Sequence, residues 1–305
     1  HWNYDDVSED CLRINVWTPT LDQKKRPVIL WLHGGGYTNG NAVEQDGYHG
    51  ENLSRFGDVV FCSINHRLGA LGYSQLSAAG GHPASGNVGN LDMVASLEWI
   101  RDNISNFGGD PGNVTIIGQS GGGAKVTTLM NMPSAKGLFH KAVALSGSSL
   151  SGTNKEFAEK VGLKIMEEAG LKPGDIKGLQ KLSWREYIDV ANKAAAKMGD
   201  EAKRMNIARA GFSPVGDGQY LASGEFFKDP SHFSADIPLL INHFTEKITA
   251  EQGIAPKSFS VEAIKLMQEY DWTGNIRELR NIVERLIILS GNEISETDIH
   301  LFASK

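Results

Sequence analysis

Short, nearly unbroken apolar runs punctuate the first half of the chain. Arg13–Trp17 (RINVW), Val28–Leu32 (VILWL), Val59–Ile64 (VVFCSI), Val114–Ile117 (VTII) and Ala142–Leu145 (AVAL) read as strands. Apolar residues on both faces are what strands covered on both sides require. Between them the period changes from two to three-and-four. Leu91–Ile104 brings Leu91, Val94, Ala95, Leu97 and Ile100 close to one face, and Gly122–Met130 reads as a short helix directly after a strand. Strand–helix–strand alternation predicts a mostly parallel α/β sheet with helices on both faces. Residues 154–170 and 175–199 read as two amphipathic helices ahead of a further strand, IPLLI at 237–241.

Beyond residue 240 the texture changes. Asn242–Gln252, a segment capped by Ser260, and Asn275–Leu289 read as helices, the last with Ile276, Leu279, Ile282, Val283, Leu286 and Ile287 at helical spacing. Gly291 is placed to end it, and Ser295-Glu296-Thr297-Asp298 resembles a capping box for a final short helix. No strand is expected here. The pattern predicts two domains: an α/β domain over 1–240 and a small all-helical unit over 241–305.

Composition narrows the function class. The 305 residues are 40% hydrophobic and 22% charged, and the net charge is −6. That acidic excess argues against non-specific nucleic-acid binding. No apolar run is long enough to span a membrane, and His1-Trp2-Asn3-Tyr4 is not the start of a signal peptide, which points to the cytoplasm for a complete chain. Two cysteines, Cys11 and Cys62, are too few for a disulfide scaffold. No metal or cofactor motif is present. The anomaly is glycine: 35 residues, clustered in HGGGY (33–37), FGGDPGN (107–113) and GQSGGG (118–123).

Gly118-Gln119-Ser120-Gly121-Gly122 fits G-x-S-x-G, after a predicted strand and before a predicted helix. A serine on so sharp a turn needs small neighbours, and its hydroxyl then stands at the carboxyl end of the sheet. His33-Gly34-Gly35-Gly36 follows the strand VILWL, where glycines free backbone N–H groups to face an oxyanion. Gly35, Gly36 and Gly121 are the expected donors, with Ser120 the nucleophile.

These stretches, with SEDCLRINVWTP (8–19), INHRLGALGY (64–73), GNVGNLDMVASLEWIRDNISNFGGDPGNVTIIGQSGGG (86–123) and ALSGS (144–148), resemble the type-B carboxylesterase family of para-nitrobenzyl esterases and cholinesterases. The resemblance covers about residues 8–241. It implies an α/β-hydrolase fold, a serine nucleophile and small-molecule carboxylic esters as substrates. The family often carries Glu before the serine and Ala after it, where this chain has Gln119 and Gly121. The resemblance also implies a catalytic acid after IPLLI, where Lys247 stands instead with Glu246 one step off, and a histidine later still, beyond the last of these residues. His140 and His232 precede strands and belong at the wrong end of the sheet. His243 follows one and is the candidate surrogate base. His33 and His66 read as structural or pocket-lining.

The tail carries a second resemblance. DIPLLINHFTEK (236–247), YDWTGNIRELRNIVERLIIL (270–289) and ISETDIHLF (294–302) are similar to the C-terminal helical lid of AAA+ activators that work with sigma-54 RNA polymerase. That similarity implies a chimera joined at DIPLLI, and makes Arg277 a candidate nucleotide-phosphate contact. No G-x-x-x-x-G-K-[ST] loop accompanies it. Apolar surface left uncovered at such a junction favours self-association. An inert scaffold and a nucleotide-binding regulatory fragment stand as the alternatives to an esterase.

Overall fold

The computed structural model describes residues 7–207, 211–227, 248–249, 252–255, 257–268 and 275–302. The strand IPLLI, the residues His232, His243, Glu246 and Lys247, and most of the helix expected over 242–252 lie outside the described residues. The chain divides into two compact units, His1–Ile237 and Pro238–Lys305.

The first unit is built on a five-stranded sheet: β1 (Arg13–Trp17), β2 (Arg26–Leu32), β3 (Val60–Asn65), β4 (Gly109–Gln119) and β5 (Lys141–Leu145), in the order β1-β3-β2-β4-β5. β1 is antiparallel to β3 and every other pairing is parallel. The five apolar runs are the five strands. β4 extends well beyond VTII at both ends, because its glycine-bearing start at Gly109 pairs with Arg26. Along β2 the residues alternate: Val28, Leu30 and Leu32 are fully buried, while Ile29 and Trp31 are half-buried.

Helices α1 (Glu51–Gly57), α2 (Gly69–Tyr73), α3 (Val88–Asn103) and α4 (Gly121–Leu129) connect these strands. Met93, Val94, Leu97 and Ile100 of α3 and Val126 and Leu129 of α4 pack on Val28, Leu30, Leu32, Val114 and Ile116 in one core. The expected face of α3 therefore holds at Val94, Leu97 and Ile100. Met93 joins it and Ala95 turns outward. The start of α3 is tied to the end of β3 by Asp92, which accepts from the Arg67 amide (3.0 Å) and from its guanidinium (2.8 and 2.6 Å).

A second core forms around α5 (Lys155–Glu168) and α7 (Trp184–Lys197), with Phe157, Val161, Ile165, Ala191 and Ala194 buried. The single helix expected over 175–199 is instead three segments: α6 (Ile176–Leu179), α7 and α8 (Gly199–Arg204). The break has a local cause. Ser183 forms a capping box with Glu186, which satisfies the first amides of a new helix and so favours a fresh start there.

The second unit contains helices Val261–Gln268, Asn275–Leu289 and Glu296–Phe302. Their buried residues Ala263, Met267, Ile282, Val283, Leu286, Ile287 and Ile299 form its core. Both expected caps are present: Ser260 accepts from the Ala263 amide (3.1 Å), and the Ser295 hydroxyl bonds Asp298 (2.7 Å). The expectation of a strandless tail needs one correction. Ser258–Phe259 (β8) pairs in parallel with Glu293–Ile294 (β9), since Phe259 and Ile294 enter the same core and bring their backbones side by side. Two shorter strands of the first unit, β6 (Thr153–Asn154) and β7 (Val215–Gly216), pair in the same way.

Candidate active site

β2 and β4 are adjacent and parallel, so the loops leaving their carboxyl ends meet. HGGG leaves β2; Ser120 leaves β4. Ser120 adopts φ 56°, ψ −120°, a conformation that L-residues rarely enter. Such strain persists only where the surroundings over-determine it. They do so here: the Ser120 amide donates to the Leu145 carbonyl (2.8 Å) and its carbonyl accepts from the Ala124 amide (3.1 Å).

The small neighbours are a packing necessity. A Cβ on Gly118 would lie 2.4 Å from the Gly122 carbonyl carbon, one on Gly122 would lie 2.1 Å from the Leu32 oxygen, and one on Gly147 would lie 2.0 Å from the Ser120 oxygen. Real Cβ atoms do not approach so closely, so backbone occupies the space on every side of the turn.

The structure brings two of the three expected donors, Gly36 and Gly121, together. Gly35 (φ 80°) and Gly36 (φ 63°) take left-handed conformations. The Gly35 carbonyl accepts from the amides of Thr38 (3.3 Å) and Asn39 (3.0 Å), which closes the loop. A Cβ on Gly121 would lie 2.2 Å from the Gly36 nitrogen. The loop thus approaches the serine turn more closely than an alanine at 121 would permit. Gly36, Gly121 and Ser120 form one cluster at the head of α4, whose free amides favour negative charge.

Behind the cluster is a buried polar group that sequence reasoning missed. Lys125, on α4, is fully buried, and its Nζ donates to the His33 carbonyl (2.8 Å). Burial lowers its amine from the usual 10.5 to about 7, opposed by the Glu44 carboxylate. The His33 Nδ1–H donates to the Gly34 carbonyl (2.9 Å), and the Tyr48 phenol interacts with the Gly34 backbone and with Glu44. The His33 ring stacks on His66, with centroids 5.2 Å apart. Burial holds His33 at about 3, helped by the nearby Lys125 charge, and holds His66 well below 6.5 for the same reasons. Both rings are therefore neutral, and among the described residues neither Nε2 has a hydrogen-bond partner. The sequence signal was a lone lysine in the apolar run GGGAKVTTL.

The remaining candidates stand elsewhere in the chain or outside the described residues. His140 immediately precedes β5, where its Nδ1 accepts from the Val114 amide in the middle of β4 (3.1 Å). His243 lies outside the described residues. Arg277 lies near the start of the helix Asn275–Leu289 in the second unit. Among the described residues no group of three or more His, Cys, Asp or Glu side chains is placed to hold a metal, and no helix is long and apolar enough to cross a membrane.

Residues 2–296 match the carboxylesterase family. The para-nitrobenzyl esterase of Bacillus subtilis is 37% identical over 234 residues, which is 77% of this chain and 46% of that protein. Chicken (Gallus gallus) acetylcholinesterase is 37% identical over 72% of this chain and 28% of its own length. Among solved structures, a Geobacillus stearothermophilus carboxylesterase is 38% identical with a TM-score of 0.61, covering 70% of this chain and 43% of that one. An esterase from anaerobic Clostridium hathewayi, described as able to hydrolyze aliphatic aromatic polyesters, is 32% identical with a TM-score of 0.63, covering 99% of this chain and 59% of that one. These matches fix the fold as an α/β hydrolase. The chain spans less than half the length of these two curated relatives. The resemblance of residues 236–305 to an AAA+ lid rests on its motifs alone.

Proposed function

The chain belongs to the carboxylesterase family, and from that premise we propose that it attacks small-molecule carboxylic esters through Ser120. The observation that carries this reading is the strained Ser120 backbone packed against a left-handed glycine loop. In the proposed reaction Ser120 Oγ adds to the ester carbonyl carbon and gives up its proton to a base. The amides of Gly35, Gly36 and Gly121 donate to the carbonyl oxygen as it becomes negative. The carbonyl re-forms, the alcohol leaves with a proton, and water later releases the acid from the acyl-serine.

The base is the weak link. Lys247 stands where the family places its acid, and His243 is our candidate surrogate base. With Lys247 in the acid's place the triad is impaired, and an oxyanion hole and binding alone retain about three to four powers of ten over water. Weak turnover, or a single acylation of Ser120, is the expected behaviour. The test is hydrolysis of p-nitrophenyl butyrate beside a Ser120→Ala control. A Ser120-dependent rate supports the reading, and equal rates for the two proteins overturn it.

One observation favours a second reading. The helical unit folds around its own core, and Arg277 lies in the first turn of its helix, where backbone amides favour an anion. On that reading the chain is an inert hydrolase scaffold carrying a nucleotide-binding fragment. A thermal shift with ATP or ADP that is lost in Arg277→Ala supports it, and the absence of any shift counts against it.

A further inference from the structure

A fully buried lysine is an expensive group to keep, since its ammonium gives up water and one hydrogen bond does not replace it. Filling the same space with Met or Leu would cost nothing of the kind. Lys125 nonetheless stands one turn beyond Ser120, on the helix that the serine opens, and its ammonium donates to the carbonyl that begins the HGGG loop. The same stretch is held at two further points: the Gly34 carbonyl by His33 Nδ1, and the Gly34 backbone by Tyr48. The His33–Gly34 and Gly34–Gly35 peptide groups are thereby fixed in orientation, and the second of them carries the Gly35 N–H. The groups facing Lys125 are the neutral rings of His33 and His66, at the ends of β2 and β3, and the carboxylate of Glu44 from the loop between them.

We propose that Lys125 is a positioning residue for the oxyanion site, its ammonium holding the His33 carbonyl so that the Gly35 and Gly36 amides stay aimed at the oxygen of a tetrahedral adduct on Ser120. This rests on the esterase reading of Ser120. Lys125 touches no substrate; it acts through the loop. A charged donor makes a shorter and stronger bond than a neutral one, so the hold is strongest while Lys125 keeps its proton.

The test uses the 305-residue protein and phenylboronic acid. In its adduct the Ser120 Oγ–B bond forms, the serine proton goes to solvent, and boron becomes tetrahedral with an oxygen in the oxyanion position. The dissociation constant is measured by calorimetry from pH 6 to 9 for wild type, Ser120→Ala, Lys125→Met and Glu44→Gln. Ser120→Ala should abolish binding. Lys125→Met should weaken it at least tenfold below pH 7. The ratio of the two constants, in which the boronic acid's own ionisation cancels, should shrink as pH rises and Lys125 loses its proton. A purely structural lysine would give a ratio that does not change with pH. Glu44→Gln should move the change to lower pH, and this comparison decides the matter if Lys125→Met does not fold. Binding within twofold of wild type in Lys125→Met, or coincident profiles for wild type and Glu44→Gln, overturns the proposal. Wild type that fails to bind in a Ser120-dependent way overturns the Ser120 reading and this proposal together.

Discussion

The stacked pair His33–His66 makes acid stability the most quantitative consequence of the structure. Burial lowers both folded-state values below 6.5, His33 to about 3. A group lowered in this way is neutral in the folded protein where the unfolded chain already binds a proton. The unfolded state therefore takes up more protons as pH falls through 6.5, and folding stability falls with it. With an unfolded value of about 6.5, one such histidine removes about 2 kcal/mol between pH 7 and pH 5. Two acting independently remove about 4 kcal/mol, a large fraction of a typical domain's stability. Paired carboxylates contribute little in this range, since Asp22, for example, is held at about 2 by Arg26 and stays ionised in both states. The assay is urea unfolding of the protein at pH 7 and pH 5, followed by tryptophan fluorescence, for wild type and His66→Phe. The phenyl ring keeps the stack and removes one titrating site. His66→Phe should lose about 2 kcal/mol less than wild type between the two pH values. Equal losses in the two proteins would refute the assignment of buried neutral histidines.

Two further perturbations probe how the turn is built. Gly36→Ala meets no atom within 4 Å and incurs only the left-handed backbone penalty of about 1–2 kcal/mol, whereas Gly122→Ala drives a methyl to 2.1 Å from the Leu32 oxygen and must displace the end of β2. Gly122→Ala should therefore slow labelling of Ser120 by a fluorophosphonate by about two to three powers of ten, the typical loss when one oxyanion donor is removed; labelling within a factor of three of wild type would count against the packing described. Asp92→Ala removes three bonds to Arg67, whose side chain is 40% exposed and can rehydrate, so thermal unfolding should show a loss of about 2–3 kcal/mol, short of the full penalty for an uncompensated buried charge.

The sheet was legible because each strand carries its own signal. RINVW and AVAL need no partner to be recognised as extended and apolar, and their order along the chain fits a parallel sheet through the helices between them. The serine turn was equally legible, because Gly118, Gly122 and Gly147 are small for reasons of contact that hold wherever this turn is built. What escaped were features set by tertiary partners. Ala95 shares the helical spacing of Val94 and Leu97, yet it faces outward, because the sheet covers only the stripe through Met93 and Leu97. The two-residue ladder of Ser258–Phe259 with Glu293–Ile294 exists only because two side chains share a core.

Lys125 shows the limit most clearly. In sequence it is a charge in an apolar helix, which pattern reasoning assigns to a solvated edge. In the fold that edge is the inner side of the HGGG loop, and the lysine's partner, the His33 carbonyl, is 92 residues away. The elements that meet there, α4 and the end of β2, are both products of adjacent parallel strands, so the contact follows from strand order rather than from any local motif. Strand order also explains why the loop and the serine turn can share one strained arrangement. Each is anchored at a strand end, with β2 and β4 in register from Val28–Val114 to Leu32–Gly118. A shift of one residue in that register would carry Gly36 away from Gly121 by about 3.3 Å, more than the whole clearance between them. The geometry of the site is thus an expression of sheet register, and the glycines are what allow two strand ends to come this close.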